Sequence, residues 1–198
     1  MSLKEAMNHG DIYEESGFSD PVDIAYAEQL AHERLRSKRL SFKYNQTDPD
    51  DEDQRQSILH QLFKYFGKHS FIEGPVYTSY GNHTTIGDDF YANFNLTIVD
   101  DVSVEIGNHV MFGPNVMISV TGHPLNGRDR RHGAQFSKSI NIGDDVWIGG
   151  NVSILPGVSI GSNVVIGAGS VVTHDIANDS VALGTPARIV KHLEPINK

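Results

Sequence analysis

The chain contains no cysteine. That excludes a disulfide framework, a thiolate nucleophile and a cysteine-ligated metal centre. No apolar run approaches the roughly 20 residues that a membrane-spanning helix requires. The opening Met1-Ser2-Leu3-Lys4-Glu5 has no apolar leader core, so the expectation is a cytoplasmic protein with no membrane partner. Positive charge is scarce as well. Sixteen Lys and Arg face twenty-five Asp and Glu, a net charge of −9, which argues against nucleic-acid binding because phosphates demand a cationic surface. An anionic ligand would need a local cluster of those few cations. At 198 residues the chain is long enough for one domain with a real core.

What the chain does have is a period of six. Ile142, Ile148, Ile154, Ile160, Ile166 and Val172 occupy one position of the repeat, and Val146, Val152, Val158, Val164, Ser170 and Ile176 occupy the position four further on. Gly143, Gly149, Gly161 and Gly167 follow the aliphatic, with Leu155 the exception. In the unit Val-x-Ile-Gly-x-x, alternation sends both aliphatics to one side, and the glycine gives a sharp corner its backbone freedom. This predicts a parallel β-helix, a prism of short strands around an aliphatic core. The step extends back through Ile86-Gly87, Ala92-Asn93 and Ile98 and, after a slip of two, through Ile106-Gly107, Phe112-Gly113 and Ile118. Residues 119–139 break it with a polar segment rich in Gly and Arg, and such insertions in repeat proteins often carry function.

Residues 1–70 read differently: charged, poor in glycine and helical in pattern. Asp20-Pro21 predicts a helix over 22–43, and Thr47-Asp48-Pro49 with the acids Asp50 to Asp53 predicts a second. Leu59, Leu62, Phe63 and Phe66 fall on one apolar stripe, which would pack on an open end of the prism. The expected organisation is a single structural unit: a helical cap over 1–70, a β-helix over 71–190 with its projecting loop, and a tail over 191–198.

Further motifs follow in a fixed order: Ser79-Tyr80-Gly81, Phe90-Tyr91-Ala92-Asn93-Phe94, Val99-Asp100-Asp101, Thr121-Gly122-His123-Pro124, Val146-Trp147-Ile148-Gly149-Gly150 and Gly184-Thr185-Pro186-Ala187-Arg188. With His9-Gly10-Asp11-Ile12-Tyr13 ahead of them, the chain resembles the galactoside/maltose O-acetyltransferase group of the hexapeptide-repeat acyltransferases over nearly its whole length. The resemblance implies a left-handed β-helix, a homotrimer with active sites between subunits, acetyl-CoA as co-substrate and a small sugar as acceptor. It implies no metal and no permanently bound cofactor.

Carried over residue by residue, the resemblance makes His123 the general base, a role suited to an imidazole because an alcohol needs its proton removed as it attacks a thioester. Asn93 and the Gly150 amide would stabilise the oxyanion. Ser79, Tyr91 and Asp101 match acceptor positions, as does an early acid that falls on Glu14 or Glu15, with Glu15 preferred. Gly113, Gly150, Ala168, Thr173, His174, Arg188 and Lys191 match coenzyme A contacts. Arg188 and Lys191 supply cations for phosphate. His174 stands where that group often has lysine, predicting a weaker contact. Gln135 stands where relatives often have Glu or Met. Trp147, the only tryptophan, should point outward and be covered by a neighbouring subunit, the loop or coenzyme A.

Three other readings remain open at this stage. The acceptor could be an antibiotic hydroxyl or serine rather than a sugar. A β-helix can hold zinc between histidines, although His83, His109, His123 and His132 lack a close His-x4-His pair. A non-catalytic scaffold is the third.

Overall fold

The computed structural model describes residues 1–196. Three helices precede the prism. Helix α1 (Leu3–His9) starts at a capping box in which Ser2 and Glu5 bond each other's backbone, and it stops at Gly10, whose φ of 78° closes the last turn. Helix α2 (Pro21–Gln46) begins at Asp20, whose carboxylate accepts from Val22 N at 2.8 Å. Helix α3 (Glu52–Leu62) begins at Asp51 in the same manner. No helix among the described residues is long and apolar enough to cross a membrane.

From Tyr65 onward the chain winds as a parallel β-helix of about six turns. Its three faces hold five, seven and five strands. On the first face Phe66, Ile86, Ile106, Ile142 and Ile160 stack in register. Ile72, Ala92, Phe112, Ile148, Ile166 and Ala182 stack on the second. Thr78, Ile98, Ile118, Ile154 and Val172 stack on the third. Apart from Thr78 these inward residues are buried and join one core. Corners between the first and second faces put His69, Asp89, His109, Asp145, Asn163 and Asp179 at positive φ, a backbone that Asn, Asp and His tolerate best.

The prism differs from the sequence-based boundaries at both ends. Of the stripe Leu59, Leu62, Phe63 and Phe66, all four are buried, but only the first two are helical. Phe63 ends α3, and Phe66 is the first inward residue of the solenoid. The β-helix therefore begins at Tyr65, ahead of the expected 71, because Phe66-Gly67 and Ile72 already keep the six-residue step. At the far end Ser180–Gly184 adds a further parallel strand, and Ala187–His192 folds back antiparallel on it. Lys191 thus lies in a strand and not in a tail. The sequence pattern missed α1 and shortened α2 by a few residues at its end.

The helices close the open first turn with side chains. Arg55 donates to the carbonyls of Ile72 (3.1 Å) and Glu73 (2.9 Å), and Gln56 donates to Ser70 O at 2.9 Å. Asn45 takes both backbone groups of Val76, and Ser37 donates to Thr78 O. Strand groups that would otherwise invite another chain are thereby satisfied.

Candidate active site

Two edges of the prism carry most of the expected site residues. Along the edge between the second and third faces stand Asn93, Gly113, Gly150 and Ala168, the first two directly after an inward residue of the second face and the last two one position further on. A Cβ added to Gly113 would sit 2.5 Å from Gly150 N on the next turn, so the two turns stack this closely here because glycine occupies the position. Asn93 binds the turn below through its own N–H to Phe112 O, and its Oδ1 accepts from Phe94 N at 2.7 Å. That arrangement leaves the side-chain Nδ2 as its donor.

The edge between the third and first faces carries Ser79, Asp101, Thr173 and His174. The insertion leaves the prism here as a hairpin in which Thr121–Gly122 pairs with Phe136–Ser137. His123 follows directly. Its Nδ1 lies 2.9 Å from the carbonyl of Ala134. A carbonyl can only accept, so Nδ1 must carry the hydrogen, and Nε2 is left with its lone pair.

Asp101 is buried beside this hairpin. Burial raises its carboxyl pKa, opposed by the hydrogen bond that Thr121 donates to Oδ2. Thr121 Oγ1 lies 3.0 Å from Ser137 Oγ, and Ser137 Oγ lies 2.7 Å from the Tyr13 hydroxyl, so a chain of hydroxyls leads to the carboxylate. Tyr13 also pairs with Gln135 through both backbone groups in an isolated antiparallel bridge, which ties the N-terminal segment to the base of the hairpin. Glu15 is the acid that faces this region, whereas Glu14 is exposed. Its carboxylate meets Arg34 at 2.6 Å and accepts from Gln135 Nε2 at 3.1 Å.

The coenzyme-side residues fall into two groups. His174 and Arg188 wall one groove of about 430 Å³ with Asp175 and Ala187. Gly113, Gly150 and Ala168 stand on the other edge. Lys191 lies beyond both, opposite Val181, and Tyr91 stands outward on the second face between Phe71 and Met111. One chain therefore places Asn93 and His123 on different edges and does not bring them together. Among the described residues no three His, Asp or Glu side chains gather as a metal site.

Sequence reasoning missed Arg34 and Ser137 as parts of the site, and it read Tyr13 and Thr121 only as parts of motifs. Ser137 carries no motif of its own, and its partner lies 124 residues away.

Residues 139–174 match the family model of the bacterial transferase hexapeptide (six repeats), and residues 24–67 match that of the maltose acetyltransferase hexapeptide capping motif. The chain is 47% identical over 171 residues to the galactoside O-acetyltransferase of Escherichia coli (strain K12), covering 86% of this chain and 84% of that one. A solved galactoside acetyltransferase in complex with coenzyme A is similar at a TM-score of 0.91 and 43% identity, over 98% of this chain and 92% of that one. A hexapeptide-repeat-containing acetyltransferase of Vibrio cholerae O1 biovar eltor, complexed with acetyl coenzyme A, gives a TM-score of 0.85 and 35% identity over 98% and 100%.

Proposed function

Because the chain belongs to the galactoside/maltose O-acetyltransferase family of hexapeptide-repeat transferases, we propose that it moves an acetyl group from acetyl-CoA to a hydroxyl of a small sugar of galactoside, glucoside or maltose type. The observation that carries this reading is the Ala134 carbonyl on His123 Nδ1. It holds the imidazole in the tautomer that a base requires.

In the proposed step His123 Nε2 takes the proton of the acceptor hydroxyl as that oxygen attacks the acetyl carbonyl. The tetrahedral oxyanion is met by Asn93 Nδ2 and the Gly150 amide. Collapse breaks the carbon–sulfur bond, and the departing thiolate recovers the proton from the imidazolium. No acyl-enzyme is required. Asp101 and Ser79 take hydrogen bonds from neighbouring sugar hydroxyls, and Tyr91 presents its ring to the sugar. The Arg34 and Gln135 bonds to Glu15 make that acid chiefly a wall of the acceptor side. Gly113 and Ala168 leave space for the pantetheine arm. Thr173, His174, Arg188 and Lys191 meet the polar end of the coenzyme, where two fixed cations balance phosphate in an otherwise acidic chain.

The same reading makes the protein a homotrimer with each site shared between two subunits. The separation of Asn93 from His123 supports it: two prisms side by side can bring unlike edges together. The second face supports it too. Its outward column runs Phe71, Tyr91, Met111, Trp147, Val165 and Val181 in register, with Met111 53% and Trp147 56% exposed. Below an exposed Tyr65, the first face shows the polar Thr85, Glu105, Asn141 and Ser159 at the matching positions. An apolar column along the whole prism calls for cover.

The test is release of free thiol from acetyl-CoA with a panel of galactosides, glucosides, maltose, serine and chloramphenicol. Sugar-dependent release is expected. His123→Ala should lower turnover by about 10²–10⁴-fold, with coenzyme affinity and assembly retained. Turnover that survives the substitution removes His123 from the chemistry. Release only with serine or chloramphenicol replaces the sugar acceptor.

A further inference from the structure

Away from the base, α2 and the strand Val76–Thr78 enclose a groove of about 250 Å³, lined by Lys38, Ser41, Phe42, Asn45 and Tyr77 with Thr78. Its walls are fixed. Asn45 Nδ2 donates to Val76 O at 3.0 Å, and its Oδ1 accepts from Val76 N at 2.9 Å. About two turns earlier Ser37 donates to Thr78 O at 2.9 Å.

The groove has two unspent features. Phe42 is 70% exposed and Tyr77 is 52% exposed, so neither ring serves the core. Ser41 is only 5% exposed, yet its hydroxyl has no hydrogen-bond partner. A buried hydroxyl left unpaired costs free energy, and most such groups in native proteins are completed by a partner or a ligand. Ser37, its neighbour on the helix, is fully engaged.

Position ties the groove to the acceptor side. Tyr77 precedes Ser79 by two residues, about 6–7 Å along an extended strand. On the helix, Arg34, Lys38 and Phe42 follow at spacings of four and share one face. That face runs from the Glu15–Arg34 wall into the groove.

We propose that this groove is a second acceptor subsite, which holds the distal ring of a two-ring sugar whose first ring lies at Ser79 and Asp101. The inference rests on the sugar reading above. A pyranose has an apolar C–H face and a rim of hydroxyls. Phe42 and Tyr77 offer aromatic surface to the first, and the exposed Lys38 ammonium offers a polar partner to the second, with the unpaired Ser41 hydroxyl in the floor beneath.

The test uses Phe42→Ala and Tyr77→Ala, both at exposed positions that leave the core intact. Acetyl transfer is compared between methyl galactoside and lactose, and between methyl glucoside and maltose. For two-ring acceptors kcat/KM should fall about tenfold, while one-ring acceptors stay within about twofold. Equal losses for both, or none for either, overturn the subsite. Saturation-transfer NMR without acetyl-CoA gives an independent readout, in which distal-ring protons of lactose or maltose should receive saturation from the wild type and lose it in both variants. Absence of that signal in the wild type also overturns the proposal. If the signal is present but no sugar is acetylated, the subsite stands and the sugar-transfer reading falls. If the variants instead lower the mass in sedimentation, the groove is a contact between copies and the subsite is refuted.

Discussion

Asp100 and Asp101 are adjacent in sequence and differ in what they do. Asp100 accepts from Tyr80 N at 2.8 Å and Thr84 Oγ1 at 2.9 Å, and its own carbonyl lies 2.8 Å from His83 Nδ1. It braces the corner between two turns. Burial pushes its carboxyl pKa up to about 6, against the hydrogen bonds and the nearby His83. A pKa raised by folding means that the folded chain holds the proton more tightly. The contribution to stability is thus fully present below the unfolded value near pH 4 and is lost as pH rises through about 6, at most roughly 3 kcal/mol. His83, which also meets Glu33 of α2 at 3.2 Å, belongs to the same network. Asp100→Asn should flatten the change in urea midpoint between pH 4 and pH 7, and an unaltered slope would place the titration elsewhere. Asp101, by contrast, faces the hairpin. The sequence named both acids in one motif, and the resemblance put Asp101 on the acceptor side; the bracing role of Asp100 stayed hidden, because burial and partners decide that. His123 was easier to recognise, since Gly122 and Pro124 bracket it at the end of a regular turn. Its tautomer was not, because Ala134 O comes from the far side of the insertion.

At the scale of elements, the hexapeptide step made the prism legible wherever an aliphatic or Phe kept the position. The first turn was hidden because Phe66 also fits a helical stripe and Thr78 takes the place of an aliphatic. The insertion was visible as a break in period. Its pairing with Tyr13 was not, since contacts between remote segments leave no local periodicity. The apolar stripe of Leu59 to Phe66 predicted packing on an open end of the prism, whereas the side chains that α2 and α3 bring to the first turn include polar ones. Arg55 bonds two carbonyls of the first turn and the Tyr44 hydroxyl, with its guanidinium 4.6 Å from the Tyr44 ring. Arg55→Met keeps the bulk and removes the donors. The Glu73 carbonyl and the Tyr44 hydroxyl oxygen lose their donor, while Ile72 O keeps that of Tyr44, so unfolding free energy should fall by about 1–3 kcal/mol in urea denaturation. A loss below a few tenths would mean that water replaces the guanidinium.

At the scale of the molecule, the proposal that sites are shared leads to a test that no single variant offers. His123→Ala and Asn93→Ala are each expected to be nearly inactive. Unfolded together and refolded as a mixture, they should regain about a quarter of wild-type activity, because random assembly gives that share of sites an intact His123 from one subunit and an intact Asn93 from the next. No recovery would confine each site to one chain. The ends of the prism bear on assembly in another way. At one end the strand groups are occupied by helix side chains. At the other, the second face finishes on Ala187–His192, which runs against every strand before it. A copy set on top in line would meet a reversed hydrogen-bond pattern on that face. On that face, stacking end to end forfeits the parallel pairing that joins every turn of the solenoid, whereas association side by side carries no such cost.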